Sequence, residues 1–193
     1  MNWRFSDASL ATLATLNRAS LSKSFVPDLD LDWQATTTDA EYLALYRAWS
    51  LFHDSPYERY FDDPKRIAFA KYQQANLMLF SALTERYAIP LLSQLLDLDD
   101  APEFREYVIF FIKEESYHYT MFLRAHDQIM ASMDDARPIP RRAIKLVLRW
   151  FFRFLVLIPW MRLRIQTLFL FFAFFEKVTI EAHVATQDAV PRK

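Results

Sequence analysis

The residues able to do chemistry are three glutamates and a histidine. In "FFIKEESYHYT", residues 110–120, Glu115 and His118 are three apart, with Glu114 beside them and aromatic residues around them. Phe111, Glu115, His118, Phe122, Ala125 and Ile129 recur at spacings of 4 and 3, which places them on one helix face. Glu85 lies on a stripe with Met78, Ala82, Ala88, Ile89 and Leu92, and Glu176 on one with Phe169, Phe172, Thr179, Ile180 and His183. Each glutamate thus sits on a mostly apolar face, where an unpaired charge is costly to bury. Carboxylates sharing a dry interior would force one another to stay protonated, and a bound cation removes the conflict. Helix bundles hold pairs of iron or manganese ions with single glutamates and Glu-x-x-His pairs pointing inward, and carboxylate and imidazole suit both metals. The competing expectation is that these are surface glutamates paired with Arg86, Lys113 and Lys177, which would contribute little.

The elements that must position these residues read as helices throughout. The chain has no glycine, on which tight hairpins and dinucleotide-binding turns depend, so the expected fold class is all-α. It has no cysteine, which excludes disulfides, thiolate metal sites and cysteine nucleophiles. The expected helices run from Ser6 to about Ser20, from the capping box "TDAE" at Thr38–Glu41 to about His53, and from an Asp63 cap with Pro64 to about Leu96, bending near Pro90. Another follows from an Asp100 cap over Pro102 to Ser132, and two more over Pro140 to Ile158 and Trp160 to Thr186, parted at Pro159. Residues 21–37 read as irregular and "MDDARPIP" as a turn. Long helices with short turns predict one antiparallel bundle domain over 1–193, with 1–37 as a peripheral segment and 38–187 as the bundle helices.

The Glu85, Glu115-x-x-His118 and Glu176 series resembles the ferritin-like diiron-carboxylate oxygenases. Within them, "KEESYHYTMFLR" is similar to the metal-binding helix of the arylamine N-oxygenases related to p-aminobenzoate N-oxygenase. The resemblance covers roughly residues 40–185. It implies a ferritin-like bundle, two iron ions with manganese as the alternative, O2 as co-substrate, an external electron donor, and oxidation of an amine or other small apolar substrate. It assigns Glu85, Glu115, His118 and Glu176 as metal ligands, with Glu85 or Glu115 bridging. Glu114, Glu181 and His183 are candidates for further metal binding or for supporting the ligands. The family pattern calls for one more helix, with a His and an acid-x-x-His element, and after Glu176 only His183 offers itself. The bundle is therefore expected to be incomplete at the C-terminus, the chain being an N-terminal piece of a longer enzyme. Completion by another chain and a degenerate site are the alternatives. His53 and His126 read as ordinary helix-end or surface histidines, and Tyr117 and Tyr119 as packing.

Charge divides the chain. Residues 1–135 hold 21 acids and 12 bases, residues 136–193 hold 3 and 11, and no acid occurs between Ala136 and Phe175. Arg141, Lys145, Arg149 and Arg153 form an i+4 ladder that fits either an anionic membrane surface or the acidic half of the chain. The alternative function is a non-catalytic, membrane-peripheral or interaction module. No nucleic-acid recognition module is visible. The start lacks a secretory pattern, and the longest uncharged apolar run, Ile165 to Phe175, is too short to span a bilayer. The expected location is cytoplasmic, with the membrane surface as the alternative, and a homodimer is left open.

Overall fold

The computed structural model describes residues 5–22, 26–97, 99–133 and 141–157, together with Thr167 and Leu170. These residues form α1 (Asp7–Ser22), α2 (Pro27–Asp30), α3 (Asp39–Trp49), α4 (Asp63–Ser93), α5 (Pro102–Ala131) and α6 (Arg141–Leu157), with short 3₁₀ turns at Glu58–Tyr60 and Gln94–Asp97. Among the described residues there is no strand, and the fold is an all-α helical bundle. The turn at "MDDARPIP" beyond Met133, the break at Pro159 and, apart from Thr167 and Leu170, the expected helix from Trp160 to Thr186 lie outside the described residues.

The long helices start where the sequence supplies acceptors for their free N–H groups. The capping box of α3 forms: Glu41 N–H donates to Thr38 Oγ1 at 3.3 Å and Thr38 N–H donates to Glu41 Oε2 at 2.7 Å. Two other expected caps are displaced. Asp62, not Asp63, caps α4 by accepting from Lys65 N–H at 3.1 Å, which puts Asp63 and Pro64 in the first turn. Asp100 does not cap α5. Ala101 holds that place, its own N–H donating to Asp99 Oδ1 at 2.9 Å, while Asp100 turns to Arg105. In both cases neighbouring aspartates compete and the chain's path decides which can reach back. The third helix stops at Trp49 rather than near His53, because Ser50 turns extended. Residues 21–37 are also less irregular than expected. Pro27–Asp30 forms one helical turn, Trp33 Nε1–H donates to Pro27 O, and the Arg124 guanidinium lies 4.2 Å over the Trp33 ring while pairing with Asp28. Without glycine, left-handed backbone is nearly absent among the described residues. Its one instance is Asp54 at φ 58°, a residue type that tolerates that region.

The central element is α4. Ser81, Ala82, Leu83, Thr84 and Glu85 are all buried in succession, and five consecutive positions cover every direction around a helix. Helices α5 and α6 pack along it, and α3 packs against its first turns. Helices α4 and α5 run antiparallel: the ends joined by the short link hold Leu95 and Phe104 in one core, while Ala75 meets His126 farther along. Leu79, Leu83, Leu92, Val108, Leu148, Phe152 and Leu155 fill the main core. Burying a side chain of this size stabilises by roughly 1.5–3 kcal/mol. A smaller aromatic cluster of Tyr46, Phe52, Phe61 and Phe69 anchors α3 and the connector to the first turns of α4.

Candidate metal centre

The enclosed centre of α4 is where Glu85 sits, 4% exposed, and Ser81, Ala82 and Ala88 keep its stripe small on both sides. Across from it α5 presents Glu115, 6% exposed. His118, one turn further along α5, is half-buried and brings Nδ1 to 3.2 Å from Glu115 Oε2. One donor atom from each of Glu85, Glu115 and His118 falls within 4.8 Å of the others. The two glutamates are therefore not surface residues paired with Arg86 and Lys113, both of which are exposed, Lys113 lying over the Tyr117 ring.

The electrostatics are those of an acid-rich site short of positive charge. Burial pushes the Glu85 carboxyl up to about 10, and Glu115 adds to the shift as hydrogen-bond partner and as a neighbouring negative charge. Even so, Glu85 Oε2 is buried with no hydrogen-bond partner among the described residues, and so is Thr84 Oγ1 beside it. A buried acceptor left unsatisfied costs free energy that a bound cation would remove. Two carboxylates and an imidazole are also a donor set suited to iron. The residues present fit a metal ion.

The other sequence candidates divide. Glu114 is exposed, and its charge reaches the half-buried Tyr107, whose hydroxyl burial, and then Glu114, push upward. Tyr117 and Tyr119 are half-buried. Glu176, Glu181 and His183 lie outside the described residues. His126 is not a surface histidine as expected. It is 2% exposed, and its Nδ1 lies 2.9 Å from Ala75 O, tying α5 to α4 three turns from Glu115. Its four-residue spacing from Phe122 was the available signal.

His53, Asp54 and Glu58 make a second cluster of similar size. There Glu58 receives Asp54 N–H at 2.8 Å, His53 Nδ1 at 3.2 Å and the Arg66 guanidinium at 3.5 Å. The Asp54 N–H foremost, then His53, hold its carboxyl below the usual carboxylate range. This carboxylate is satisfied by the protein itself, and the cluster reads as a staple for the turn before α4.

Comparison with known proteins gives the chain a family. A family described as P-aminobenzoate N-oxygenase AurF matches residues 6–160. The chain belongs to this family. It is a family of ferritin-like diiron oxygenases, and its match spans Glu85, Glu115 and His118. No curated protein and no solved structure matches the chain. Membership implies a diiron centre working with O2, and the buried group between α4 and α5 has the donor chemistry such a centre uses.

Proposed function

We propose that the chain is a diiron N-oxygenase in which Glu85, Glu115 and His118 are ligands, acting on an amine or another small apolar substrate with an external electron donor. The observation that carries this reading is the buried group of Glu85, Glu115 and His118, in which Glu85 keeps one oxygen, Oε2, without a hydrogen-bond partner. Two iron ions held there would supply the O2 activation that gives the family its oxygenase chemistry. Glu85 from α4 and Glu115 from α5 would hold the iron from two sides, each through its carboxylate. To act as a ligand Glu85 gives up the proton that burial keeps on its carboxyl, so loading the site releases a proton. Glu115 also accepts from the imidazole of His118, fixing the ring's orientation. Phe122, its ring 6.1 Å from that of His118, sets an apolar side chain beside the ligands. Glu176, Glu181 and His183 remain candidates for completing the ligand set.

The direct test is anaerobic loading with Fe(II). Iron should bind in a form abolished by Glu115→Ala and by Glu85→Ala, and the loaded protein supplied with electrons should consume O2 faster when an arylamine is present. Iron that stays substoichiometric and indifferent to both substitutions would overturn the assignment.

A further inference from the structure

Helix α6 has more apolar surface than the core covers. Its inner side places Leu148, Phe152 and Leu155 in the main core, Phe152 stacking on Tyr87 of α4. On the opposite side Leu146, Val147, Trp150, Phe154 and Leu157 are 56–77% exposed. At about 100° per residue, the apolar positions of α6 sweep roughly 240° of its circumference, of which the core occupies about half. The remaining sector carries Arg142, Lys145, Arg149 and Arg153, all exposed. The basic edge therefore runs beside an outward apolar face, with Arg153 lying 6.0 Å over the Trp150 ring between the two. The helix contains no acid. Arg141, the first residue of the expected ladder, begins the helix, and Arg142 takes a place in the stripe that the i+4 reading did not give it.

We infer that this outward face of α6 docks on an anionic lipid surface, with the helix lying in the plane of the headgroups. Three features favour that occupant. An apolar face bordered by arginine and lysine is the composition of a helix that lies at a membrane interface, where Trp150 sits with its ring among the acyl chains and its N–H near water. A second copy meeting this face antiparallel across a twofold axis would set the basic edges of the two helices side by side, like charge beside like. The chain that follows α6 offers no counter-charge, since its first acid is Glu176, whereas lipid phosphates supply both charge and an apolar interior. The net −9 of residues 1–135 further orients the molecule, because an anionic surface repels the rest of it and attracts this side. No helix among the described residues is long and apolar enough to cross a membrane, and a helix lying in the interface needs no such length.

The test is flotation of the full chain with vesicles of phosphatidylcholine alone and of phosphatidylcholine with phosphatidylglycerol. Binding should require the anionic lipid and weaken with added salt. The K145Q/R149Q/R153Q variant should bind about 100-fold more weakly, at roughly fivefold per cation. W150S/F154S should lose binding at least tenfold while keeping the helical circular dichroism of the native chain. Equal binding to neutral vesicles, no binding to either, or binding unchanged in both variants would overturn the inference. So would a concentration-dependent dimer in sedimentation equilibrium that W150S/F154S dissociates, which would assign the face to a second copy.

Discussion

Among the described residues lie two clusters of one histidine and two carboxylates, and they are electrostatic opposites. At His53, Asp54 and Glu58 the chain supplies a backbone N–H, an imidazole and a guanidinium, so Glu58 ionises more readily than usual. At Glu85, Glu115 and His118 two buried carboxyls face each other with a single imidazole, so Glu85 ionises far less readily. Residue types do not separate the two, and neither does the distance among donor atoms. What separates them is whether the protein has already neutralised the carboxylates. The first cluster is complete as a structural staple; the second has spare acceptor capacity that an added cation would use.

The largest expected effect follows from that difference. Glu85→Ala or Glu115→Ala should abolish Fe(II) binding measured by calorimetry under anaerobic conditions, while Glu58→Ala leaves it unchanged. If Glu58→Ala removed binding equally, the comparison would fail. Next, metal should raise the melting temperature of the native chain, since a ligand at a hundredfold excess over its Kd stabilises by about 2.7 kcal/mol. That gain should vanish in E115A and survive in E58A, a contrast readable by differential scanning fluorimetry.

The pH dependence of the metal-free chain should also split the clusters. Glu85 has its folded value raised, so it leaves stability intact below the ordinary carboxylate range and takes stability away as pH rises from there toward about 10. Each unit of that rise costs up to about 1.4 kcal/mol. Glu85→Gln should flatten the slope and raise the melting temperature of the metal-free form at pH 8, and a slope indifferent to E85Q would count against a neutral buried carboxyl. Glu58 behaves in the opposite sense. Its lowered value contributes stability above the ordinary carboxylate range that is lost as pH falls through the folded value. Because Glu58 is on the surface, Glu58→Gln should give the smallest effect of the series, a modest fall in melting temperature at pH 7 that shrinks as pH falls below the ordinary carboxylate range.

Much of the helical frame was legible before any coordinates. The absence of glycine, the "TDAE" capping box and the 4-3-4 recurrence around Glu115 are local signals, and each describes an element the structure contains. Local signals failed where neighbours compete. Asp62 and Asp63, or Asp99 and Asp100, are equivalent as residue types, and only the approach of the chain selects the one that accepts. His126 looked like a surface residue because a helix face is apolar or polar only by consensus of its neighbours. Its burial depends on α4 lying against it.

The sequence by itself determined that the chain is helical, that Glu115 and His118 share a face, and that a basic helix with no acid follows the acidic part. These are consequences of composition and of the 3.6-residue period, which act within one element. Tertiary structure alone decided that Glu85 meets Glu115, that one of its oxygens is left without a partner, and that the His53 cluster needs no ion. It also decided which side of α6 the core covers. Apart from the His53 cluster, which a local turn closes, these depend on which groups separate helices bring to the same few ångströms, and on how much water the packing leaves there, neither of which a spacing along one helix can specify.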